Sequence, residues 1–313
     1  MRCIVTGGAG FIGSHLVDAL VAQGDEVIVV DSLITGKKQH LSTHITQKKV
    51  TLIEKDLRDD EWMQACNGVH RVYHLAADPD VRASAEQPKR QLQNTIIATH
   101  QVLEAMRKYQ VPELVFTSTS TVYGEATVIP TPETYTPMEP VSVYGASKLA
   151  CEALISAYCH NFSMQSWIYR FANIVGARSG HGVIYDFIAK LKKSQRELEI
   201  LGDGKQTKSY LSVSACVQAM LFGAEYAKKQ VNYLNIGSED WIDVTTIAEI
   251  VVAEMGLSAV AFRYTGGSRG WVGDVPKMQL SCDAMKVLGW EPPVNSYESI
   301  VQAVRAALST EAA

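Results

Sequence analysis

A glycine-rich turn near the start of the chain narrows the folds that it can adopt more than any other feature. The apolar run Arg2–Thr6 predicts a buried strand, and a helical pattern follows from about Phe11 to Gln23. Between them, Gly7 permits a tight turn, Gly10 lets the backbone approach a pyrophosphate, and Gly13 lets the helix pack against the strand. The anion would rest at the helix N-terminus. The predicted dinucleotide contacts of this segment are Gly7, Gly10, Phe11, Ile12 and Gly13.

Short β-rich runs and helical stretches alternate through the first half of the chain. Further strands are predicted at Glu26–Val30, Val50–Glu54, Arg71–His74, Glu113–Ser118 and Ser166–Arg170. Helices are predicted near Asp60–Cys66, Lys89–Tyr109 and Val143–Asn161. This alternation predicts an α/β fold with a doubly wound parallel sheet of the Rossmann type, which binds ligands at the carboxyl ends of its strands.

The alternation of strands and helices ends after about Ala172, where loops, a helix at Val183–Lys193 and a turn at Gly202–Gly204 follow one another. We therefore predict two parts. Residues 1–173 form a dinucleotide-binding domain, with returns to it near residues 211–238. Residues 174–313 form mainly a second, smaller lobe that binds the substrate.

The acidic residue Asp31 ends the second predicted strand. This is the placement for hydrogen bonds to the adenosine ribose hydroxyls, and its charge would repel the 2′-phosphate of NADP. Lys37 and Lys38 are the only features that favour NADP. The sequence therefore predicts NAD as the cofactor.

Composition narrows the remaining function classes. A net charge of −4 gives no basic field for nucleic acid, and no apolar run approaches the length of a membrane span. The six cysteines are scattered, and neither they nor the histidines show a metal-ligand spacing. We expect a cytoplasmic protein without a metal, nucleic-acid or membrane partner.

Tyr144 and Lys148 are four residues apart in a predicted helix, so the phenol and the ammonium project from one face. A free phenol has a pKa near ~10 and is a poor base at neutral pH. One cation at about 4 Å, in an effective dielectric constant of ~20, lowers the pKa of a phenol by about the amount that a base at neutral pH requires. Lys148, helped by an oxidised nicotinamide ring, is therefore expected to make Tyr144 a working acid and base.

Several motifs along essentially the whole chain resemble the extended short-chain dehydrogenase/reductases, and within them the UDP-glucose 4-epimerase group. They are Thr6–Gly13, Asp56–Leu57, His74–Ala77, Asn94, Ser118–Gly124, Tyr144–Lys148, Arg170–Asn173, Gly202–Val213, Arg269–Asp274 and Leu288–Trp290. The resemblance implies a homodimer, formed by the helices around Gln93–Tyr109 and Val143–Ser156. It also implies that NAD stays bound throughout the cycle.

The resemblance assigns further residues to the cofactor and to the substrate. The added cofactor contacts are Asp56, Leu57, Leu75, Ala76, Ala77, Asn94, Ser118, Tyr144 and Lys148. The implied catalytic residues are Tyr144, Lys148 and Thr119, and the implied nucleotide-sugar contacts are Thr119, Ser120, Tyr144, Asn173, Val183, Ile184, Lys208, Arg269 and Asp274. Two departures concern the nucleotide end. Lys208 and Ser209 replace the usual Arg and Asp, and Arg269 lies two residues further from Asp274 than is common.

These residues favour reversible oxidation at C4 of a UDP-hexose, most simply the interconversion of UDP-glucose and UDP-galactose. UDP-N-acetylhexosamines and UDP-glucuronate remain open as substrates, with Arg82 or Arg178 as partners for a uronate and Met278 near the C2 substituent. The related dehydratases carry an Asp-Glu pair, and the decarboxylases a Glu, where this chain has Ser120 and Thr121. Dehydratase, decarboxylase, reductase and non-enzymatic NAD sensor are the alternatives from other classes.

Overall fold

The computed structural model describes residues 1–81, 83–270 and 273–311. Its strands are β1 Arg2–Thr6, β2 Glu26–Asp31, β3 Val50–Glu54, β4 Arg71–His74, β5 Glu113–Thr119, β6 Gln165–Phe171, β7 Asn173–Val175, β8 Glu197–Ile200, β9 Thr207–Lys208, β10 Tyr210–Ser212, β11 Val231–Ile236, β12 Ile242–Asp243, β13 Ala261–Tyr264 and β14 Lys277–Met278. Its α-helices are α1 Phe11–Ala22, α2 Ser42–Thr46, α3 Ala83–Glu86, α4 Pro88–Gln91, α5 Ala98–Tyr109, α6 Val143–Phe162, α7 Val183–Lys193, α8 Val213–Tyr226, α9 Val244–Glu254, α10 Asp283–Leu288 and α11 Ser296–Glu311.

The chain divides into two compact units, and the first comprises residues 1–122, 142–170 and 220–234. Within the described residues, seven strands form one sheet in the order β11-β6-β5-β4-β1-β2-β3. The pairs along β3-β2-β1-β4-β5 are parallel. The order reverses between β1 and β4, which leaves a crevice at their carboxyl ends. The predicted α/β fold is confirmed, and this crevice is where a ligand is expected.

Apolar side chains from both layers fill the core of the first unit. Ile4, Phe116 and Ile168 on the strands pack with Trp62 and Met106, and each of these side chains is almost fully buried. The strands are apolar on both faces, as a sheet covered by helices requires. The sheet is therefore a rigid platform for the side chains at its carboxyl edge.

The helical predictions differ from the structure in two places. The segment predicted as a helix near Asp60–Cys66 holds only a 3₁₀ turn at Met63–Cys66, and the Trp62 indole N–H donates to the carbonyl of Leu57 at 3.1 Å. The run predicted at Lys89–Tyr109 comprises α4 and α5 with a π-helical segment, Leu92–Ile97, between them. Such segments carry one extra residue per turn and are frequent at functional sites.

The second unit comprises residues 123–141, 171–219 and 235–313. Three small sheets belong to it within the described residues: β7 with β10, β9 between β12 and β14, and β8 with β13. Its own core includes Leu191 on α7, Val251 on α9 and Val304 on α11, all fully buried. The predicted second lobe is present. None of the helices described in the structure combines the length and apolarity that crossing a bilayer requires.

Candidate functional site

The glycine turn is fixed by close backbone contacts. Gly7 has φ +70°, and a Cβ added there would lie 2.7 Å from the backbone nitrogen of Ala76. A Cβ on Gly13 would lie 2.2 Å from the carbonyl oxygen of Gly7. Both distances exclude a side chain, so glycine is required at each position. The turn therefore brings the start of α1 directly against β1 and the residues after β4.

Space for an anion remains at Gly10. A Cβ added there would meet a single described neighbour within 4 Å, the carbonyl oxygen of Gly7 at 3.2 Å. Among the described residues, no side chain caps the N-terminus of α1, and its first turn carries no acidic residue. The free N–H groups of a helix start attract phosphate. This segment thus fits the pyrophosphate of a dinucleotide.

Asp31 lies beside the glycine turn at the end of β2. Its Oδ2 accepts from the backbone N–H of Ala9 at 2.9 Å, and its Oδ1 accepts from that of Leu33 at 2.8 Å. A carboxylate has about four acceptor positions, so two remain for ribose hydroxyls. A Cβ on Gly36 would lie 2.9 Å from Oδ1, so the neighbouring loop passes close to the carboxylate. The placement fits the predicted ribose contact.

We predict that Asp31→Asn shifts the cofactor preference toward NADP. The amide keeps one acceptor for the backbone but removes the charge that repels a 2′-phosphate. The ratio of the NADP to the NAD dissociation constant should fall about tenfold, as for loss of a ~1.4 kcal/mol repulsion. Equilibrium dialysis of cofactor-stripped protein measures both constants.

Asp25→Ala is the matched control. Asp25 immediately precedes β2, at the end of the strand opposite to Asp31, and pairs with the N-terminal amine. In Asp25→Ala the ratio of the NADP to the NAD dissociation constant should equal that of the unchanged protein. An unaltered ratio in Asp31→Asn would refute the ribose assignment.

A buried polar chain links β1, β4 and α5 beneath the turn. The His74 ring contacts the Thr6 hydroxyl through Nδ1 at 2.7 Å and the Thr99 hydroxyl through Nε2 at 3.0 Å. Burial lowers the pKa of His74 to about 3, so the ring stays neutral at physiological pH. The N–H of Ala76 donates to the Thr6 hydroxyl at 3.3 Å. The segment containing Leu75 and Ala76 is thereby held at the crevice.

The remaining predicted cofactor residues also belong to the first unit. Asp56 binds Arg58 through both carboxylate oxygens, which lowers its pKa, and Leu57 is buried beside it. Asn94 lies in the π-helical segment. Ala77 follows β4 in the loop after His74, and Ser118 is buried near the end of β5. Their contact with cofactor stays a prediction.

Tyr144 and Thr119 come together in the first unit, and Lys148 follows Tyr144 by one turn on α6. Tyr144 lies in the first turn of α6, and Thr119 ends β5. A side-chain hydrogen bond with Thr119 acts to lower the phenol pKa. Desolvation is the larger effect, however, and raises the pKa of Tyr144 to about 12, although part of its surface remains accessible.

Lys148 is anchored to the backbone of β5. Its Nζ donates to the carbonyl oxygen of Thr117 at 2.8 Å and lies 4.7 Å from the centre of the Phe116 ring. Burial lowers its pKa to about 8. Among the protein's own groups, the ammonium therefore does not overcome the desolvation of Tyr144. Activation of Tyr144 by Lys148 together with an oxidised nicotinamide ring stays a prediction, and the structure adds that the lysine is anchored to the strand backbone.

Two functional candidates next to Lys148 were missed from the sequence. Glu152 and Arg170 form a buried ion pair in which Nη2 of Arg170 lies 2.6 Å from Oε2 of Glu152. The Ser118 hydroxyl donates to Oε1 of the same carboxylate at 2.5 Å. The available signal was spacing, since Glu152 follows Lys148 by four residues on α6. This spacing places a second charged side chain, that of Glu152, on the same face of α6 as Lys148.

Three of the predicted substrate residues form one cluster in the second unit. Lys208 Nζ lies 2.5 Å from Oδ1 of Asp274, and Arg269 donates to the carbonyl of Asp274 at 2.9 Å. Arg269 also pairs with Glu125 at 2.5 Å. The structure thus brings together cationic side chains suited to a diphosphate. In the loop between Arg269 and Asp274, residues 271 and 272 lie outside the described residues.

The other substrate predictions are distributed more widely. In the second unit, Asn173 donates to the carbonyl of Ser209 at 3.2 Å, while Val183 and Ile184 begin α7. Ile184 is buried in the core of that unit. Ser120 follows β5 in the first unit. Arg178, partly buried, and Met278, in β14, stay predictions; Arg82 lies outside the described residues.

Ser209 explains one departure from the family pattern. Its side chain is fully buried and donates to the carbonyl of Ser238 at 2.9 Å, so it supports the backbone rather than facing a ligand. An aspartate at this position would place a charge among buried groups, which is costly without a partner. Lys208 therefore takes its anionic partner from Asp274 instead.

Comparisons with known proteins find similar sequences over most of the chain. Residues 3–237 match the profile of the NAD dependent epimerase/dehydratase family. A putative UDP-glucose 4-epimerase of Methanocaldococcus jannaschii is 33% identical over 96% of both chains. The UDP-glucuronic acid decarboxylase 2 of Arabidopsis thaliana is 30% identical over 94% of this chain and 65% of its own length.

Solved structures are similar over the whole chain. A UDP-galactose 4-epimerase structure is 40% identical, with 99% of each chain covered and a TM-score of 0.89. The UDP-glucose 4-epimerase of Thermus thermophilus, solved with NAD, is 30% identical, with 98% of each chain covered and a TM-score of 0.86.

Proposed function

Because the chain belongs to the NAD dependent epimerase/dehydratase family, we propose that it is a 4-epimerase that interconverts UDP-glucose and UDP-galactose. NAD is its cofactor. The observation that carries the proposal is the grouping of Tyr144, Thr119 and Lys148 around the end of β5, with neutral hydroxyls at Ser120 and Thr121. This set can move a proton on a sugar hydroxyl but lacks an acidic pair for elimination.

The glycine turn, the free start of α1 and Asp31 would hold the pyrophosphate and adenosine ribose of NAD. When bound, NAD supplies a reversible acceptor for the hydride of C4 and a positive charge on its oxidised ring. Leu75, Ala76 and Asn94 would border the cofactor.

Tyr144 would remove the proton of the 4-hydroxyl and later return it. Its partner Thr119 would orient that oxygen through the hydroxyl contact already present with the phenol. Burial favours the neutral phenol, so the proton is readily returned, and neighbouring positive charge is needed to release it again. Lys148, fixed on Thr117, supplies part of that charge.

Lys208, Arg269 and Asn173 would bind the diphosphate and ribose of the nucleotide. Ordering the nucleotide while leaving the hexose loosely held allows the 4-keto sugar to turn about its diphosphate. The opposite face of C4 is then presented for reduction. Val183 and Ile184 would lie beside the base.

A UDP-N-acetylhexosamine or UDP-glucuronate is the nearest alternative substrate. Other chemistries are disfavoured by the residues at the end of β5. A dehydratase needs an acid and a base for C5 and C6, and a decarboxylase of this family usually has Glu at the position of Thr121. A sensor without catalysis would not need Tyr144 and Lys148 together.

Incubation of purified protein with UDP-glucose, UDP-N-acetylglucosamine and UDP-glucuronate, separately and without added NAD, tests the proposal. Proton NMR should show conversion of UDP-glucose to UDP-galactose as the fastest reaction. Faster turnover of another sugar would change the substrate assignment, and loss of CO₂ or water would replace epimerisation altogether.

We also propose a homodimer formed through α5 and α6. Leu92 and Ile97, in the π-helical segment before α5, and Phe162, at the end of α6, are each nearly half exposed, at 47%, 47% and 45%, and would be covered in such a dimer. Ile97→Glu should yield a monomer at micromolar concentration in light scattering, whereas Val287→Glu, at an 88% exposed position on α10, should not. A monomeric unchanged protein would refute this assembly.

A further inference from the structure

Three charged side chains are buried side by side in the first unit. Lys148, Glu152 and Arg170 are each only 2% exposed. Burying a charge costs several kcal/mol unless it is paired and hydrogen-bonded. Each of the three must therefore have a compensating partner among its neighbours.

Glu152 has the most complete set of contacts. Its carboxylate accepts from Nε of Arg170 at 3.1 and 3.2 Å and from Nη2 at 2.6 Å, and it accepts from the Ser118 hydroxyl. The Arg170 guanidinium in addition lies 4.9 Å from the centre of the Tyr233 ring. The ion pair is thus held by groups on three strands, β5, β6 and β11, and on one helix, α6.

Lys148 and Glu152 are anchored to the same stretch of β5. They lie one turn apart on α6, and they bind consecutive residues of the strand, Thr117 and Ser118. A purely structural ion pair between Glu152 and Arg170 would not require this second attachment. Residues four apart on a helix lie side by side, so the Glu152 carboxylate and the Lys148 ammonium share the buried face of α6.

The other ionisable groups around Lys148 do not offer a free negative charge. His74 on β4 stays neutral because burial lowers its pKa, and Cys151 on α6 stays a thiol because burial raises its pKa. Tyr144 is neutral for the same reason as Cys151. Asp78, after β4, already pairs with Arg90 at 2.8 Å.

We propose that Glu152 is a positioning residue whose carboxylate keeps Lys148 charged and fixed at the end of β5. Burial lowers the pKa of Lys148, and its neighbours Cys151 and Glu152 act in the opposite direction. Because burial keeps Cys151 a neutral thiol, the negative charge beside the lysine is that of Glu152. Without it, the lysine pKa falls from about 8 toward neutrality, and the protonated fraction near pH 8 falls with it. Lys148 would then lose the charge that supports proton release from Tyr144.

The direct test is an NMR titration of Lys148 in the full-length protein labelled with [ε-¹³C]lysine. The resonance that disappears in Lys148→Arg identifies the side chain, and its chemical shift is followed from pH 6 to pH 10. The variants are Glu152→Gln and the double variant Glu152→Gln/Arg170→Met. The double variant removes both charges of the ion pair, which commonly leaves stability near neutral.

In Glu152→Gln the titration midpoint of Lys148 should fall by about one to two pH units. In the double variant it should fall by less, because the positive charge of Arg170, which opposes the effect of Glu152 on Lys148, is removed as well. The matched control is Glu113→Gln/Arg71→Met, which removes an ion pair of 2.6 Å at the starts of β4 and β5, on the same sheet. Its midpoint should not move.

An unchanged midpoint in Glu152→Gln would overturn the proposal, and so would an equal fall in the control. If Glu152→Gln alone does not fold, the double variant decides. If the double variant also fails to fold while the control folds, Glu152 is a structural residue and the proposal is wrong.

The activity readout rests on the proposed function, but the titration does not. With UDP-glucose as substrate, the alkaline limb of the pH–rate profile should move to lower pH in parallel with the NMR midpoint. A shifted midpoint in a protein that epimerises no sugar would sustain the role of Glu152 and refute the proposed function instead.

Discussion

Tyr144→Phe should reduce turnover of UDP-glucose by about 10²–10⁴-fold, the usual contribution of a general acid and base. Phenylalanine removes only the hydroxyl, at the start of α6, that would exchange the proton of the 4-hydroxyl. The nucleotide would be held by residues elsewhere, so the dissociation constant for UDP should change less than twofold. Coupled kinetics and calorimetry measure the two quantities.

Tyr158→Phe is the matched control on the same helix. Its hydroxyl donates to Glu104 at 2.6 Å and is not part of the proposed catalytic group. This change should cost about 1 kcal/mol of unfolding free energy and leave turnover unaltered. Turnover in Tyr144→Phe within tenfold of the unchanged protein would remove Tyr144 as the acid and base.

Gly10→Val should abolish retention of NAD, with an affinity loss of at least about a hundredfold. A Cβ here lies 3.2 Å from the carbonyl of Gly7, and the two added methyl groups would occupy the space assigned to the pyrophosphate. Nucleotide released from denatured protein, quantified by chromatography, measures the retention. The variant should carry less than a few per cent of the normal amount.

Gly24→Ala controls for a general loss of stability. Gly24 follows α1 with φ +83° and has no described heavy atom within 4 Å of an added Cβ. Alanine in this conformation costs about 1 kcal/mol of stability but touches no cofactor residue. Full retention of NAD in Gly10→Val would show that the pyrophosphate does not rest at this turn.

The sequence was sufficient for the parts of the molecule that local patterns determine. The strand–turn–helix at Arg2–Ala22 follows from hydrophobic period and glycine chemistry, both of which act over a few residues. The end of β2 at Asp31 follows from the same signals. Because parallel strands align their carboxyl ends, these local elements also located the crevice.

Features that depend on tertiary contacts were not accessible in the same way. The π-helical segment Leu92–Ile97 has no local signature that distinguishes it from a continuous α-helix. The anchoring of Lys148 on the Thr117 carbonyl depends on how α6 packs against β5. The partnership of Glu152 with Arg170 joins residues 18 positions apart, and Arg170 lies on a strand. The spacing within α6 could suggest that Glu152 shares a helix face with Lys148, but it could not identify Arg170 as the partner of the Glu152 carboxylate.

Retention of a label at C4 tests the central claim most directly. The protein, without added cofactor, is incubated with UDP-glucose deuterated at C4, and the UDP-galactose formed is examined by NMR and mass spectrometry. Oxidation and reduction at the same carbon by a resident NAD predict that essentially all the deuterium is found at C4 of the product. Exchange of the label with solvent, or the absence of any C4-inverted product, would contradict the account.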